Sequence, residues 1–316
     1  MTSGSSVGKK MIGKSQSVDE GFVSFRGYNV WYRIVGTHDK LGRFPLLCLH
    51  GGPGATHDYL EPLERMASTG RRVILYDQLG NGNSDHPHDP AMWTVQLFLE
   101  EVAAVRRALG LDQIHLLGQS WGGMLAMEYA LTKPNGLKSL TISNSPASIP
   151  QWVSEANRLR AQLPPDVQQT LLKHEAAGTT EDPAYQQAMM VFYHKHLCRL
   201  NPWPDYVNRT FQKLAQNPEV YFTMNGPSEF HVIGTLKNWD ITNRLGEIRV
   251  PTLVIGGRYD EATPAITERV HRGIHDSELV IFEKSSHMPF VEETEPYIEA
   301  LNQFLLRVEA GRARTR

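Results

Sequence analysis

The chain predicts an α/β fold: a mostly parallel central sheet flanked by helices and interrupted by a helical insertion. Three observations carry that expectation. Short apolar runs alternate with one-faced helical patterns along most of the 316 residues, the mark of parallel strands covered on both faces. Between Pro146 and about Asn243 the buried strands stop, and Trp, Tyr, His, Pro and Gln accumulate among helical patches. Alternation then resumes at Val250. The expected division is a flexible segment over 1–19, a core formed by 20–145 and 244–316, and a helical cap over 146–243. The cap should sit above the carboxyl edge of the sheet.

The elements follow in order. Residues 22–26 and 30–35 read as an antiparallel pair joined at Gly27, and strands at 46–50 and 73–76 come next. Val95, Phe98, Val102, Val105 and Leu109 recur at spacings of three and four, which predicts a helix with one apolar face. Residues 114–117 form the next strand, followed by a helix containing Met124, Leu125, Ala126, Met127, Tyr129 and Ala130. Further strands fall at 137–142, 252–255 and 279–282. The last helices bury Ile266, Val270 and Ile274, then Ile298, Leu301, Leu305 and Val308.

Composition narrows the function. A 41% hydrophobic content is enough for a large core, and a net charge of −2 gives no electrostatic reason to expect nucleic acid. The basic tail Arg312, Arg314, Arg316 reads as a solvated end. Cys48 and Cys198 are far apart and show no metal spacing, so neither a disulfide nor a bound metal is expected. Residues 1–20 lack the apolar stretch of a secretion signal, and no apolar run reaches membrane-span length. The expectation is a cytoplasmic protein with no cofactor and no membrane partner. The number of subunits is left open.

Chemistry concentrates in the loops that leave the apolar runs. Gly118-Gln119-Ser120-Trp121-Gly122 lies between a strand and a helix, the context of a nucleophile elbow. Side chains at the flanking glycines would clash in so tight a turn, which leaves the serine hydroxyl exposed above the sheet. A second loop, His50-Gly51-Gly52-Pro53-Gly54, presents backbone amides after another buried strand. Acyl transfer needs two amide donors for its oxyanion, and Gly52 and Trp121 are the residues expected to supply them. His50 is assigned to stiffening this loop rather than to proton transfer.

Downstream, Asp260 leaves the strand at 252–255 and His287 leaves the strand at 279–282. In the order serine, acid, histidine, His287 would take the proton from Ser120 and Asp260 would orient the imidazole. The alternative position for the acid, after residues 137–142, carries Ser143-Asn144-Ser145 and no carboxylate. Asp77 and its glycine-rich loop fail the dinucleotide spacing and read as a structural border of the site. His57, His115, His194, His196 and His231 are read as packing or surface residues. Trp152, Phe192, Trp203, Tyr221 and Trp239 are aromatic residues of the cap, equally suited to lining a pocket and to packing.

From about 20 to 310 the chain resembles the α/β-hydrolase fold, and within it the proline iminopeptidase family of serine aminopeptidases, including the tricorn-interacting aminopeptidase. The resemblance rests on His50 to Gly54, Tyr76-Asp77-Gln78-Leu79-Gly80-Asn81-Gly82-Asn83-Ser84, Gly118 to Gly123, and Asn225-Gly226-Pro227-Ser228-Glu229-Phe230. It implies the same triad, Ser120, Asp260 and His287. It also implies that two carboxylates, at the positions of Glu229 and Glu261, bind the free amino group of the substrate. Carboxylates are acceptor-only partners well suited to an ammonium. The expected activity is release of an N-terminal proline or other apolar amino acid from a small peptide or amide through an acyl-enzyme. The same triad could serve an amino-acid amidase, an esterase or a lactonase, and a non-catalytic ligand-binding protein is the remaining class.

Overall fold

The computed structural model describes residues 17–311. Residues 1–16, most of the expected flexible segment, and the tail arginines 312, 314 and 316 lie outside the described residues.

Among the described residues eight strands form one sheet: β1 (Val18–Phe25), β2 (Tyr28–Val35), β3 (Leu46–Leu49), β4 (Val73–Tyr76), β5 (Ile114–Gln119), β6 (Leu137–Ser143), β7 (Thr252–Gly257) and β8 (Glu278–Phe282). Their order is β1-β2-β4-β3-β5-β6-β7-β8. The β1–β2 and β2–β4 pairs are antiparallel, and every pairing from β4 to β8 is parallel. Strand β1 starts at Val18, two residues ahead of the expected core boundary. Its hairpin turns through Arg26 and Gly27, both at positive φ, the geometry that matches the twist of the strands it joins.

Alternation along the buried strands divides the core between the two faces of the sheet. Leu47 and Leu49 of β3 join Ile74, Phe98 and Trp121 on one side, while Leu46 and Cys48 join Val73, Leu117, Ile255 and Leu301 on the other. Helix α1 (Val95–Ala108) turns Leu97, Phe98, Val102 and Val105 inward, capped at its start by the Thr94 hydroxyl on the Leu97 amide. Helix α2 (Trp121–Leu131) is buried along nearly its whole length, so its sequence is apolar all round rather than one-faced.

Five helices fill the expected insertion: α3 (Ile149–Arg160), α4 (Pro165–Ala177), α5 (Pro183–His196), α6 (Asp205–Gln216) and α7 (Glu219–Met224). The chain leaves and rejoins the core side by side. Ile149 N–H donates to Trp239 O, Ile241 N–H to Ala147 O, and the Ser148 hydroxyl to Asp240 at 2.8 Å. The chain ends with α8 (Pro264–Gly273), α9 (Pro289–Glu292) and α10 (Thr294–Glu309). A 3₁₀ segment, His57–Thr69, was not marked by the apolar pattern.

One buried ion cluster ties α10 to the sheet. Glu309 accepts from Arg71 at 2.7 Å, Arg43 at 2.8 Å, the Phe44 amide at 3.1 Å and His115 Nε2 at 3.2 Å, and the Arg71 side chain is fully buried. Burial pushes the Glu309 carboxyl upward, but the hydrogen bonds of His115 and Arg71 outweigh it and hold the carboxyl down at about 2. A depressed carboxyl stabilises the fold above its unfolded value, about 4.3, and that contribution is lost as pH falls toward about 2. Glu309→Gln should cost about 3 kcal/mol by stranding the Arg71 charge. Urea unfolding at neutral pH checks this, and the difference from wild type should shrink on acidification.

Candidate active site

The elbow is built by the absence of side chains. A Cβ on Gly118 would lie 2.0 Å from Gly122 O, and one on Gly122 would lie 2.2 Å from Leu49 O. Strand β5, helix α2 and the end of β3 therefore approach at backbone contact. Ser120 is forced to φ 54, ψ −123, a region that side-chain-bearing residues rarely occupy. The Ser120 amide is held by Ser143 O at 3.0 Å. Its side chain sits at the N-terminus of α2 and lines a narrow cavity with Gly52, Trp121, Trp152 and Glu229. Neither the Gly52 amide nor the Trp121 amide makes a hydrogen bond among the described residues, so both remain available as donors.

Asp260, just beyond β7, and His287, beyond β8, meet as expected from their loops: His287 Nδ1–H donates to Asp260 Oδ1 at 2.7 Å. Asp260 accepts two further hydrogen bonds. Asn144 Nδ2–H donates to Oδ2 at 2.6 Å and the Ala262 amide to Oδ1 at 2.8 Å. Position 144, where no carboxylate stands, thus supplies an amide that fixes the acid, at a backbone φ of 54. Trp152 of α3 packs edge-on against the His287 ring, with centroids 5.8 Å apart. The Ser120 hydroxyl has no hydrogen-bond partner among the described residues; its neighbour Gln119 and the cavity residue Trp152 are what contact His287.

Two further side chains hold those walls together. The Gly51 amide donates to the Tyr59 hydroxyl at 2.7 Å, which donates to Gln119 Oε1 at 2.5 Å. Gln119 Nε2–H in turn donates to His287 O at 3.1 Å. One chain of hydrogen bonds therefore joins the loop after β3, the elbow and the loop after β8. Gln78 adds a second tie, donating to His50 O at 3.0 Å and accepting from Trp121 Nε1 at 2.9 Å. His50 Nδ1–H donates to Gly51 O and Nε2 accepts from the Gln78 amide, so the ring ties its own loop to the loop after β4, and burial drives its pKa down.

Glu229 and Glu261 come together beside this assembly. Glu261 is completely buried, and neither of its oxygens has a hydrogen-bond partner among the described residues. Burial first, then the charges of Glu229 and Asp260, push its pKa well above the usual carboxylate range. Glu229 is half-buried in the insertion and accepts from the Tyr221 hydroxyl at 2.7 Å. Burial raises its pKa as well. Its loop is shaped by Asn225 Nδ2–H donating to Ser228 O at 3.1 Å and by Tyr185 meeting the Ser228 hydroxyl at 3.0 Å. Glu229 also borders a second cavity of about 1060 Å³, walled by Tyr193, Trp203, Phe211, Tyr221 and Phe222.

Two expectations about other residues need refinement. His57 and His115 are packing residues, but they are buried and hydrogen-bonded rather than on the surface. The 3₁₀ segment also brings possible ligand atoms of His57, Asp58 and Glu61 within 4.8 Å of one another, a grouping that spacing did not suggest. Protein cations already occupy it: Lys213 and Arg209 pair with Asp58, Arg209 with Glu61, and His57 Nδ1 is engaged by Asp77.

The family model described as alpha/beta hydrolase fold matches residues 45–294. A proline iminopeptidase of Saccharolobus solfataricus is 41% identical over 299 residues, covering 94% of this chain and 96% of that protein. The crystal structure of a proline iminopeptidase from Mycobacterium smegmatis superposes with a TM-score of 0.87 at 42% identity, covering 93% and 99% of the two chains. The chain belongs to the proline iminopeptidase family. Another family-like fold, the crystal structure of VinJ, gives a TM-score of 0.88 at 46% identity, covering 92% of this chain and 99% of that one. Among the described residues no helix is long and apolar enough to cross a membrane.

The hydrogen-bond chain through Tyr59 carries a direct expectation for this family member. Tyr59→Phe strands the buried Gly51 amide and frees Gln119, which should slow labelling of Ser120 by a serine-directed phosphonate about tenfold, the equivalent of one hydrogen bond. Circular dichroism should show the fold unchanged.

Proposed function

We propose that this protein is a serine aminopeptidase that releases N-terminal proline, or another apolar amino acid, from small peptides or amides. The observation that carries the reading is Glu261. A wholly buried carboxyl with no partner is costly unless a cation completes it. With Glu229 beside it and Ser120 in the adjoining cavity, the cation that fits is the ammonium of a chain terminus, on the same residue as the scissile carbonyl.

In this reading Ser120 Oγ attacks the carbonyl carbon while its proton passes to His287 Nε2. Asp260, fixed by Asn144 and the Ala262 amide, keeps the other ring nitrogen as a donor and stabilises the imidazolium. The Gly52 and Trp121 amides receive the oxyanion. The imidazolium then protonates the leaving amine. Water attacks the acyl-enzyme with His287 as base, and the freed amino acid departs. The helical insertion acts as a cap over residues 146–243, supplying Glu229 and Trp152 to a site whose other groups come from the core.

The space at Ser120 is about 10 Å³, room for about one water molecule. A prolyl ring needs more room than that, so its binding moves walls that Trp152 and Glu229 of the cap share with Gly52, Ser120 and Trp121 of the core. Two buried free thiols, Cys48 and Cys198, fit a reducing cytoplasm as the place of action.

Ser120→Ala should remove turnover of prolyl anilide by at least about a thousandfold while thermal unfolding stays within a few degrees of wild type. Free prolyl anilide should be cleaved far faster than its N-acetyl derivative. Glu229→Gln should collapse that preference, raising KM for the free amine by about tenfold or more. Equal rates on free and acetylated anilides in the wild type contradict the amine-binding reading.

A further inference from the structure

Glu261 stands in a place that binding an amine alone does not require. It follows Asp260 directly, so one loop sets carboxyls on both sides of the same imidazole. Asp260 Oδ1 lies 2.7 Å from His287 Nδ1, and Glu261 Oε1 lies 3.8 Å from His287 Nε2. Nε2 is the nitrogen that must accept the Ser120 proton, yet the Ser120 hydroxyl has no partner among the described residues while Glu261 is aimed at that nitrogen. The Glu261 amide is anchored on His196 O at 3.2 Å, and His196 Nδ1–H donates to Tyr259 O at 2.8 Å, so α5 pins the backbone of this loop.

We propose that Glu261 occupies the base His287 in the free enzyme, and that the substrate ammonium draws Glu261 away and thereby releases Nε2 to Ser120. The proposal rests on the reading of Glu229 and Glu261 as the amine site.

The groups facing Glu261 are Glu229, Asp260, His287, Tyr193 and Tyr221. None is a fixed cation, and burial with the two neighbouring carboxyls favours its protonated form. With Nδ1–H given to Asp260, the Nε2 lone pair faces the Glu261 carboxyl 3.8 Å away, and a side-chain shift of about 1 Å brings its O–H within hydrogen-bond reach. When a substrate ammonium binds, the Glu261 carboxyl loses its proton to solvent and the carboxylate accepts from the ammonium. A substrate arriving as the free amine takes that same proton and becomes the ammonium. Either way one O–H···Nε2 contact is exchanged for an N–H···O contact, and Nε2 is left for the serine hydroxyl. Discrimination against substrates without an amine then acts on the rate of acylation, in addition to affinity.

The test uses an ester that has no amino group, 4-nitrophenyl acetate, beside prolyl anilide and its N-acetyl form. Glu261→Ala removes a side chain that makes no hydrogen bond, and Glu261→Gln preserves its size without a titratable proton. Acetate ester turnover, as kcat, should rise about threefold or more in Glu261→Ala as the base is freed, and less in Glu261→Gln, whose amide N–H still donates to Nε2, while the preference for free over acetylated anilide falls in both. Methylammonium chloride, against sodium chloride of equal ionic strength, should speed the wild-type ester reaction and leave both variants unchanged. Loss of anilide preference with unchanged or slower ester turnover in both folded variants overturns this proposal and leaves the amine site standing. Retention of the anilide preference in both variants overturns the amine site and the proposal with it.

Discussion

The contact on which the site depends is backbone against backbone. Gly118 and Gly122 let β5, α2 and the end of β3 meet at distances that any Cβ would prevent. Helix α2 starts at once after the strand, and Ser120 is carried into a strained conformation at the helix N-terminus. The Trp121 amide is left without an internal partner by the same turn. The position of Ser120 and the unengaged Trp121 amide are therefore two results of one packing constraint.

Around that fixed point the parallel sheet works as a registering device. Strands β3, β5, β6, β7 and β8 are neighbours in the sheet, and their exit loops carry Gly52, Ser120, Asn144, Asp260 and His287. Each loop is short, and side-chain hydrogen bonds bind one to the next: Tyr59 and Gln119 across the first, second and last, Asn144 across the third and fourth. The helical insertion completes the site with Trp152 against His287 and Glu229 beside Glu261. Core and insertion thus both build the site: Asp260 and His287 come from the core, Trp152 and Glu229 from the insertion.

Much of this was legible in the sequence because each participating loop follows an apolar run whose direction is set by the fold. Ser120, Asp260 and His287 could be read in that way, as could the Gly52 loop and the helical character of residues 146–243. The supporting groups could not. Gln119 meets Tyr59 across 60 positions and Asn144 meets Asp260 across 116, and no local pattern encodes such pairings. Glu261 was placed by resemblance, but its complete burial is hidden by its exposed neighbours Arg258 and Tyr259. The grouping of His57, Asp58 and Glu61 arises from a 3₁₀ segment that apolar periodicity does not register.

The central claim is that Ser120 becomes covalently attached to the amino acid whose ammonium lies between Glu229 and Glu261. Rapid acid quenching of the enzyme during turnover of a prolyl ester, followed by peptide mass spectrometry, tests it most directly. The account predicts a prolyl adduct on the peptide bearing Ser120 that disappears once substrate is exhausted. Turnover proceeding at full rate with the adduct on another residue would contradict it.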